Sequence, residues 1–146
     1  MIIREMRLDD VPAIAELEKV CFSDPWSENS IAFEVNNPLS YWLVAEEKGQ
    51  VAGYVGSQSV LDSADMMNIA VSPEYRRNGI GKKLILSLID HLRKNNVTAL
   101  LLEVRVSNTP AISLYQQLGF EQVGRRPRYY HNPREDALIL RKELLK

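Results

Sequence analysis

The stretch EYRRNGIGKKL, residues 74–84, follows a predicted strand and begins a segment with the apolar periodicity of a helix. Its glycines, Gly79 and Gly81, let backbone N–H groups approach an anion without interference from a Cβ atom. The start of the helix adds unpaired N–H donors and the positive end of the helix dipole. Basic side chains flank the glycines, namely Arg76, Arg77 and Lys82. A strand, a glycine loop and a helix in this order predict an α/β fold with a phosphate-binding loop.

Two familiar phosphate-binding motifs are absent from this loop. A P-loop requires GxxxxGK[ST], and the dinucleotide fingerprint GxGxxG lacks its third glycine after Gly79–Ile80–Gly81. The loop also lies in the middle of the chain, without a following βαβ unit long enough to complete a dinucleotide-binding fold. The local sequence leaves one further alternative, a basic surface turn that caps a helix. The loop therefore indicates a phosphate without identifying the ligand.

The composition is that of one globular domain. The chain has 146 residues, of which 45% are hydrophobic and 25% charged, so we expect residues 1–146 to form a single domain. The net charge of -1 predicts neither a nucleic-acid partner nor a membrane surface. The single cysteine, Cys21, suits a reducing compartment, and neither a signal peptide nor an apolar run of about 20 residues is found. We therefore expect a cytoplasmic protein, and we expect no metal site.

Apolar periodicity and turn residues predict seven strands and four helices in the order βααβββαβαββ. The strands are expected at residues 2–8, 41–47, 50–60, 66–71, 98–104, 120–130 and 135–144. The helices are expected at residues 8–22, 24–35, 80–92 and 109–119, the last with Thr109 as its cap and Gly119 just past its end. This order describes a mixed α/β domain built on one central sheet.

A carboxylate and a tyrosine are the candidate catalytic groups. Glu103 lies near the end of the predicted strand 98–104, where a buried carboxylate is costly unless it is paired or faces a cleft. Tyr115 lies on the apolar stripe of the helix that follows. A strand end and the helix packed back on it can bring both side chains to one cleft. The alternatives are an ion pair of Glu103 with Arg105 or another basic residue, and a core tyrosine with a satisfied hydroxyl.

Together these stretches resemble the GNAT superfamily of acetyl-CoA-dependent N-acetyltransferases. The family's motif [QR]xxGx[GA] matches residues 76–81 at every defined position. Within the superfamily the chain is most similar to the bacterial ribosomal-protein alanine N-acetyltransferases, the RimI group. The matching stretches are PWSE at 25–28, NIAV with P.Y.R.G.G at 68–81, LEVR.SN..AI.LY..LGF at 102–120, and YY followed by EDA at 129–137.

The resemblance implies a mixed central sheet that is splayed at an acetyl-CoA site and flanked by helices. It implies that the backbone of residues 76–82 holds the pyrophosphate of coenzyme A, namely Arg76, Arg77, Asn78, Gly79, Ile80, Gly81 and Lys82. The pantetheine arm would lie along the strand before this loop. Its partners would be backbone groups of Ile69, Ala70 and Val71, with Asn108 reaching it from the other side.

The resemblance also implies roles at the reacting atoms. Glu103 would take a proton from the acceptor amine, directly or through a water, because an amine must be neutral to attack. Tyr115 would serve as the acid for the departing thiolate, and an N–H near Ile69 or Val71 would polarise the carbonyl. Tyr129 and Tyr130, on the loop between the last two strands, would hold the first residues of a peptide. An edge strand with exposed aromatic side chains is the alternative for this pair.

The function expected from these features is acetyl transfer from acetyl-CoA to the α-amino group of a protein. The acceptor expected from the resemblance is an N-terminal alanine of a small-subunit ribosomal protein, so the partner is a protein N-terminus. Two alternatives remain at this stage. The first is a GNAT enzyme that acetylates lysine side chains or a small amine. The second is a CoA-binding module without turnover.

Overall fold

The computed structural model describes residues 1–144 and contains, within them, seven strands and four α-helices. The strands are β1 (Ile2–Glu5), β2 (Ser40–Glu47), β3 (Gln50–Val60), β4 (Ser63–Val71), β5 (Ala99–Arg105), β6 (Glu121–Tyr130) and β7 (Glu135–Glu143). The helices are α1 (Val11–Cys21), α2 (Glu28–Val35), α3 (Ile80–Lys94) and α4 (Thr109–Gln117). The predicted order of elements is therefore confirmed. Leu145 and Lys146, the end of the expected single domain, lie outside the described residues.

The seven strands form one mixed sheet in the order β1-β2-β3-β4-β5-β7-β6. All neighbouring strands are antiparallel except β4 and β5, which run parallel. The parallel pair is joined by α3, as a crossover connection requires. The predicted mixed α/β class is confirmed.

The two faces of the sheet are covered differently. On one face, α3 and α4 pack over the centre of the sheet, and Leu84, Ile85 and Leu88 of α3 are fully buried there. On the other face, α1 and α2 cover only the half formed by β2, β3 and β4. Within residues 1–144, no helix packs on the face of β5, β7 and β6 on that side. None of the helices in residues 1–144 is long and apolar enough to span a membrane.

Several predicted boundaries are wrong, for identifiable reasons. The helix expected at 8–22 begins at Val11, because the Asp10 carboxylate accepts hydrogen bonds from Arg4 and from the Arg7 amide instead of capping the helix. The helix expected at 24–35 begins at Glu28, where the Ser27 side chain caps it by accepting a hydrogen bond from the Ser30 amide. Thr109 is not the cap of α4: it is the first helical residue, and the residue before it is the cap.

Candidate active site

The parallel strands β4 and β5 separate shortly after they begin. They pair at Ser63–Ala99, Ala64–Leu100 and Asp65–Leu101, and nowhere beyond. On the β3 side, Gly56 pairs with Asn68 while the next residue pairs with Met66, so Met67 is an extra residue that forms a β-bulge. A bulge bends and twists the strand that contains it. The result is an opening through the sheet between residues 66–71 and 102–105, which we call the β4–β5 cleft.

The cleft has an unpaired strand edge along β4. The amide of Ser72 donates to the carbonyl of Ala52 on β3 at 2.8 Å. Backbone N–H and C=O groups alternate in direction along a strand. Those of Ala70 and Ser72 therefore point to β3. Those of Ile69 and Val71 point to the cleft. The predicted arm-binding residues thus divide. Ile69 presents its N–H and C=O to the cleft, Val71 presents its N–H while its carbonyl accepts from the Arg76 side chain, and Ala70 pairs with β3.

The glycine loop lies at the carboxyl end of β4. Its backbone has positive φ angles at Arg77 (69°) and Gly79 (74°), and the left-handed conformation at Gly79 immediately precedes α3. The amide of Lys83 is the first of the helix to reach a carbonyl, that of Gly79 at 3.0 Å. The amides of residues 80–82 have no acceptor within the helix, as at every helix start. A Cβ atom placed on Gly79 would meet nothing within 4 Å.

The side chain of Arg76 points away from the helix start. Its Nε donates to the carbonyl of Val71 at 3.1 Å, and its Nη2 lies 3.4 Å from the sulfur of Cys21. The backbone N–H of Arg76 donates to the Pro73 carbonyl at 3.5 Å, so in this conformation neither its side chain nor its amide is directed at an anion by the start of α3. Cys21, at the end of α1, is half-buried beside the cleft rather than within the core.

Helix α4 is held at both ends by its own sequence. At the start, Oδ1 of Asn108 accepts a hydrogen bond from the Ala111 amide at 3.3 Å. At the end, Gly119 has a φ of 96°, its amide donates to Gln116, and the amide of Phe120 donates to Tyr115. These two bonds form a Schellman motif. In this motif the residue three places before the C-cap packs against the residue two places after it. Accordingly, the Phe120 ring packs edge-on against Tyr115 at 5.6 Å.

Tyr115 is thereby fixed in the core beside β5. Its side chain is 5% exposed, and burial raises the pKa of its phenol to about 12. The hydroxyl therefore stays protonated at neutral pH. Asn108, predicted to reach the cofactor, lies one residue before α4 and uses its side-chain oxygen for the cap.

Glu103 and Tyr115 lie on opposite faces of the sheet. Leu102 and Val104 of β5 belong to the core under α3 and α4, together with Tyr115. Because side chains alternate along a strand, Glu103 and Arg105 face the other side, which α1 and α2 leave open over β5. The structure does not bring the two side chains together on one face, and their meeting in one cleft stays a prediction. The β4–β5 cleft passes through the sheet and joins the face that carries Glu103 to the face that carries Tyr115.

The partner of Glu103 is Arg126 of β6. The Nε atom of Arg126 lies 2.6 Å from Oε2 of Glu103, yet this buried oxygen has no aligned hydrogen bond, so the contact is an ion pair alone. Arg105, the partner considered from the sequence, instead binds Glu135 at 3.1 Å and lies over the Tyr130 ring at 4.4 Å. Arg126 was not predicted as the partner, because only the strand order β5-β7-β6 brings it within reach.

Tyr129 and Tyr130 are the last two residues of β6. Their expected position on the loop between the last two strands is therefore wrong. Burial, and then the negative charge of Glu103, raise the pKa of Tyr129. Burial, and then the charges of Tyr129 and Glu103, raise the pKa of Tyr130 to about 12. Both phenols therefore stand near the candidate base, at the open face. Among residues 1–144 no group of three His, Cys, Asp or Glu side chains is arranged to hold a metal ion.

The opposite side of the cleft is formed by the segment between α1 and α2, residues 22–27, which we call the α1–α2 loop. Trp26 of this loop packs edge-on against Trp42 at 5.4 Å. Trp42 in turn lies flat on Gly56, where a Cβ atom would come within 2.4 Å of the indole ring. Trp26 is thus a partly buried packing residue that also reaches the surface.

Comparisons with known proteins agree with this geometry. The model of the acetyltransferase (GNAT) family matches residues 11–120. The chain is 40% identical over 141 residues to the [ribosomal protein bS18]-alanine N-acetyltransferase of Escherichia coli (strain K12), covering 94% of each chain. The crystal structure of the ribosomal-protein-S18-alanine N-acetyltransferase from Escherichia coli superposes with a TM-score of 0.93 at 37% identity, covering 99% of this chain and 94% of that one.

A third similarity is to the NatC complex bound to Gag peptide and CoA, with a TM-score of 0.84 and 25% identity over 99% of this chain and 98% of that chain. GNAT enzymes use acetyl-CoA, and the assignment of the split strands and the glycine loop to its binding stays a prediction. The predicted resemblance is confirmed: this chain belongs to the GNAT family of acetyl-CoA-dependent N-acetyltransferases.

Proposed function

We propose that this protein transfers the acetyl group of acetyl-CoA to the α-amino group of an N-terminal alanine, and that the acceptor is ribosomal protein bS18. The observation that carries this proposal is the 40% identity, over 94% of both chains, to an enzyme named for that reaction. The open sheet face at Glu103 supports a protein acceptor, because an extended peptide can reach the cleft from that side. Residues 1–146 would act as one catalytic domain, and a ribosomal acceptor would place the reaction in the cytoplasm.

The residues present fit acetyl-CoA on two structural grounds. Its pyrophosphate requires backbone donors that a Cβ atom does not cover, and the start of α3 offers free amides next to Gly79, whose Cβ direction is open. Its arm contains amide groups, and the cleft edge of β4 offers the N–H and C=O of Ile69 and the N–H of Val71, whereas the Val71 carbonyl accepts a hydrogen bond from Arg76. Residues 76–82 would hold the phosphates, with Asn108 on the opposite side of the arm.

Acetyl-CoA supplies a thioester carbonyl that is activated towards attack by an amine. The amine must be neutral, but an α-amino group has an unperturbed pKa of about 8 and is largely protonated at neutral pH. Glu103, at the open face, accepts the proton through one of its carboxylate oxygens, directly or through a water. The N–H of Ile69 or Val71, directed into the cleft, donates a hydrogen bond to the carbonyl oxygen and stabilises its developing charge.

Tyr115 acts on the other side of the cleft, as a hydrogen-bond donor to the departing sulfur. Burial raises the pKa of its phenol to about 12. A thiol has an ordinary pKa of about 8.5, so a full proton transfer from Tyr115 would be uphill by about 5 kcal/mol. A hydrogen bond from the phenol stabilises negative charge on sulfur without that cost. Tyr115 therefore holds its proton at the hydroxyl while the sulfur departs.

The acceptor peptide would lie between the α1–α2 loop and the end of β6. Tyr129 and Tyr130 stand on the β6 side, and Trp26 with Phe22 stands on the other side. Tyr129 is 45% exposed and can contact a peptide by its ring and its hydroxyl. A small first residue suits this position, because the cleft narrows towards the point where β4 and β5 pair.

The experiment that tests this function is free-thiol release from acetyl-CoA with a panel of short peptides that differ only in the first residue. The panel includes the N-terminal sequence of this organism's bS18 and a control with a blocked N-terminus and an internal lysine. Turnover is expected with free-amino peptides that begin with alanine. Turnover on the blocked peptide would instead identify a lysine acetyltransferase, and binding of acetyl-CoA without turnover on any peptide would reject both protein acceptors.

A further inference from the structure

Glu18 of α1 is a buried carboxylate that takes no part in the mechanism above. Its side chain is only 1% exposed and lies in the apolar layer under α1. Within residues 1–144 no lysine, arginine or histidine forms an ion pair with it. Burying an unpaired carboxylate is expensive, and burial raises the pKa of Glu18. A carboxylate in such a place indicates that its hydrogen bonds have a specific task.

The two oxygens of Glu18 join two segments that are distant in the sequence. Oε1 accepts a hydrogen bond from the Trp26 amide at 2.9 Å, and Oε2 accepts one from Nδ2 of Asn68 at 2.7 Å. Trp26 belongs to the α1–α2 loop. Asn68 is the residue after the bulge at Met67 and before Ile69, whose amide faces the cleft. Glu18 is therefore the direct link between the loop and the bulged part of β4.

This link bears on the acceptor rather than on the cofactor. The α1–α2 loop lies on the same face of the sheet as Glu103, on the other side of the β4–β5 cleft. The loop carries the two aromatic residues placed opposite Tyr129 and Tyr130. Without the bond to Glu18, the apolar packing of Phe22 and Trp26, including the ring contact between Trp26 and Trp42, would hold this segment against the sheet without a directional hydrogen bond from the Trp26 amide. The glycine loop and α3, by contrast, make no hydrogen bond to Glu18.

We infer that Glu18 is a positioning residue for the acceptor: through Trp26 and Asn68 it holds the α1–α2 loop at the β4–β5 cleft, so that the acceptor's amine faces Glu103. This inference rests on the proposed function, because it assigns the loop to the peptide. It predicts that loss of the Glu18 hydrogen bonds weakens acceptor binding while acetyl-CoA binding is retained.

The test compares Glu18→Met, Glu18→Gln and a matched control, Glu34→Met. Methionine keeps the volume and removes both acceptor oxygens. Glutamine can keep both bonds without the charge, since its oxygen accepts from Trp26 and its amide can donate to Asn68 after rotation of the Asn68 amide. Glu34 is also a buried carboxylate, 5% exposed, with hydrogen bonds from Asn37, Ser40 and Gln58, but it lies towards the end of the sheet where β4 and β5 still pair.

The readouts are KM for an alanine-first peptide, kcat, and the dissociation constant of acetyl-CoA. Glu18→Met is expected to raise the peptide KM about tenfold, because two hydrogen bonds to a charged group are lost. Its acetyl-CoA dissociation constant should stay within about threefold of the wild-type value. Glu18→Gln should restore the peptide KM to within about twofold of the wild-type value. Glu34→Met should lower thermal stability without raising the peptide KM.

A wild-type peptide KM in Glu18→Met, or an equal rise in Glu34→Met, would overturn the inference. If Glu18→Met does not fold, Asn68→Ala provides the second variant, since it cuts the link while Glu18 still accepts from Trp26. The two tryptophans of the chain, Trp26 and Trp42, both lie at this contact, so acrylamide quenching of fluorescence reports release of the loop. Increased quenching with an unchanged peptide KM would also overturn the inference, because the loop would then be released without an effect on the acceptor. A wild-type enzyme inactive on the peptide would reject the proposed function itself.

Discussion

The Nε atom of Arg126 on β6 lies 2.6 Å from Oε2 of Glu103 on β5, across the intervening strand β7. The guanidinium is 57% exposed and the carboxylate 30%, so the pair stands at the open face where an acceptor amine must arrive. A fixed positive charge at this point opposes a second one. We therefore expect Arg126 to favour the neutral, reactive form of an acceptor amine beside Glu103.

Arg126→Gln should make acetylation more dependent on alkaline pH. Without the guanidinium, the carboxylate of Glu103 stabilises the ammonium form of the acceptor, which must then lose its proton at higher pH. We expect the acidic limb of the kcat profile, which reports groups in the bound complex, to move up by roughly half a pH unit to one unit. The matched control is Arg125→Gln, because Arg125 binds Asp136 at 2.7 Å on the other face. Identical profiles for both variants would contradict the role of Arg126.

Glu103→Gln should abolish most turnover without weakening the binding of acetyl-CoA. The amide cannot accept a proton, and positioned general bases typically contribute a factor of about 10² to 10⁴ in rate. We therefore expect kcat to fall by about that factor. Calorimetric titration should give an acetyl-CoA dissociation constant close to that of the wild type. Activity of Glu103→Gln above about one tenth of the wild-type value would show that another group takes the proton.

Tyr115→Phe should slow the reaction less than the loss of Glu103. A hydrogen bond to a developing negative charge contributes about 1.5 to 3 kcal/mol, which corresponds to a rate loss of about ten- to a hundredfold. The ring and its contact with Phe120 remain, so the variant should fold normally. Steady-state kinetics with the peptide substrate provides the measurement. An unchanged kcat would remove Tyr115 from the mechanism.

The same variant should alter stability only at alkaline pH. The phenol of Tyr115 loses its proton at pH 10 in an unfolded chain but only at about 12 in the folded protein. Between these values the folded state binds more protons, so the free energy of unfolding falls as the pH rises. Tyr115 should account for roughly 2 to 3 kcal/mol of this loss.

Urea unfolding of the wild type and of Tyr115→Phe, at neutral pH and above pH 10, measures this effect. The variant should lose less stability than the wild type over the alkaline range. Tyr130, whose pKa burial also raises to about 12, remains in both proteins and accounts for a residual slope. Equal slopes in the two proteins would show that Tyr115 ionises without cost in the folded state.

Gly79→Ala should weaken acetyl-CoA binding beyond its effect on stability. A methyl group at Gly79 requires a left-handed alanine, which costs about 1 kcal/mol, and it projects into the open space at the start of α3. We expect the dissociation constant of acetyl-CoA to rise at least tenfold, which corresponds to about 1.4 kcal/mol.

The matched control is Gly49→Ala in the β2–β3 hairpin. Gly49 has a φ of 77° and, like Gly79, no atom within 4 Å of an added Cβ. The two variants therefore share the backbone strain, and only Gly79 lies at the phosphate loop. Similar losses of thermal stability with a cofactor defect confined to Gly79→Ala are expected. If both variants bind acetyl-CoA with equal affinity, the phosphates of coenzyme A do not bind at the start of α3.

Local patterns predicted much of the fold and the conformation of the glycine loop. Helix α4 is specified by residues close in sequence: Pro110 in its first turn and Gly119 after its end. The error at Thr109 moved the cap by one residue, because both Asn108 and Thr109 are suitable capping types and only the backbone conformation chooses between them. The glycine loop is equally local, since its φ angles and free amides belong to consecutive residues.

The sequence by itself determined the order of elements, the GNAT family and the identity of the candidate residues, because periodicity, caps and motifs involve neighbours along the chain. Only the tertiary structure decided how those residues meet. The cleft opens because β4 has a bulge at Met67 and because β4 and β5 pair at only three positions before they separate. Sheet order brings Arg126 to Glu103, and side-chain alternation places Glu103 and Tyr115 on opposite faces. These relationships join segments far apart in the chain, and their physical cause is the packing and register of strands that no local pattern records.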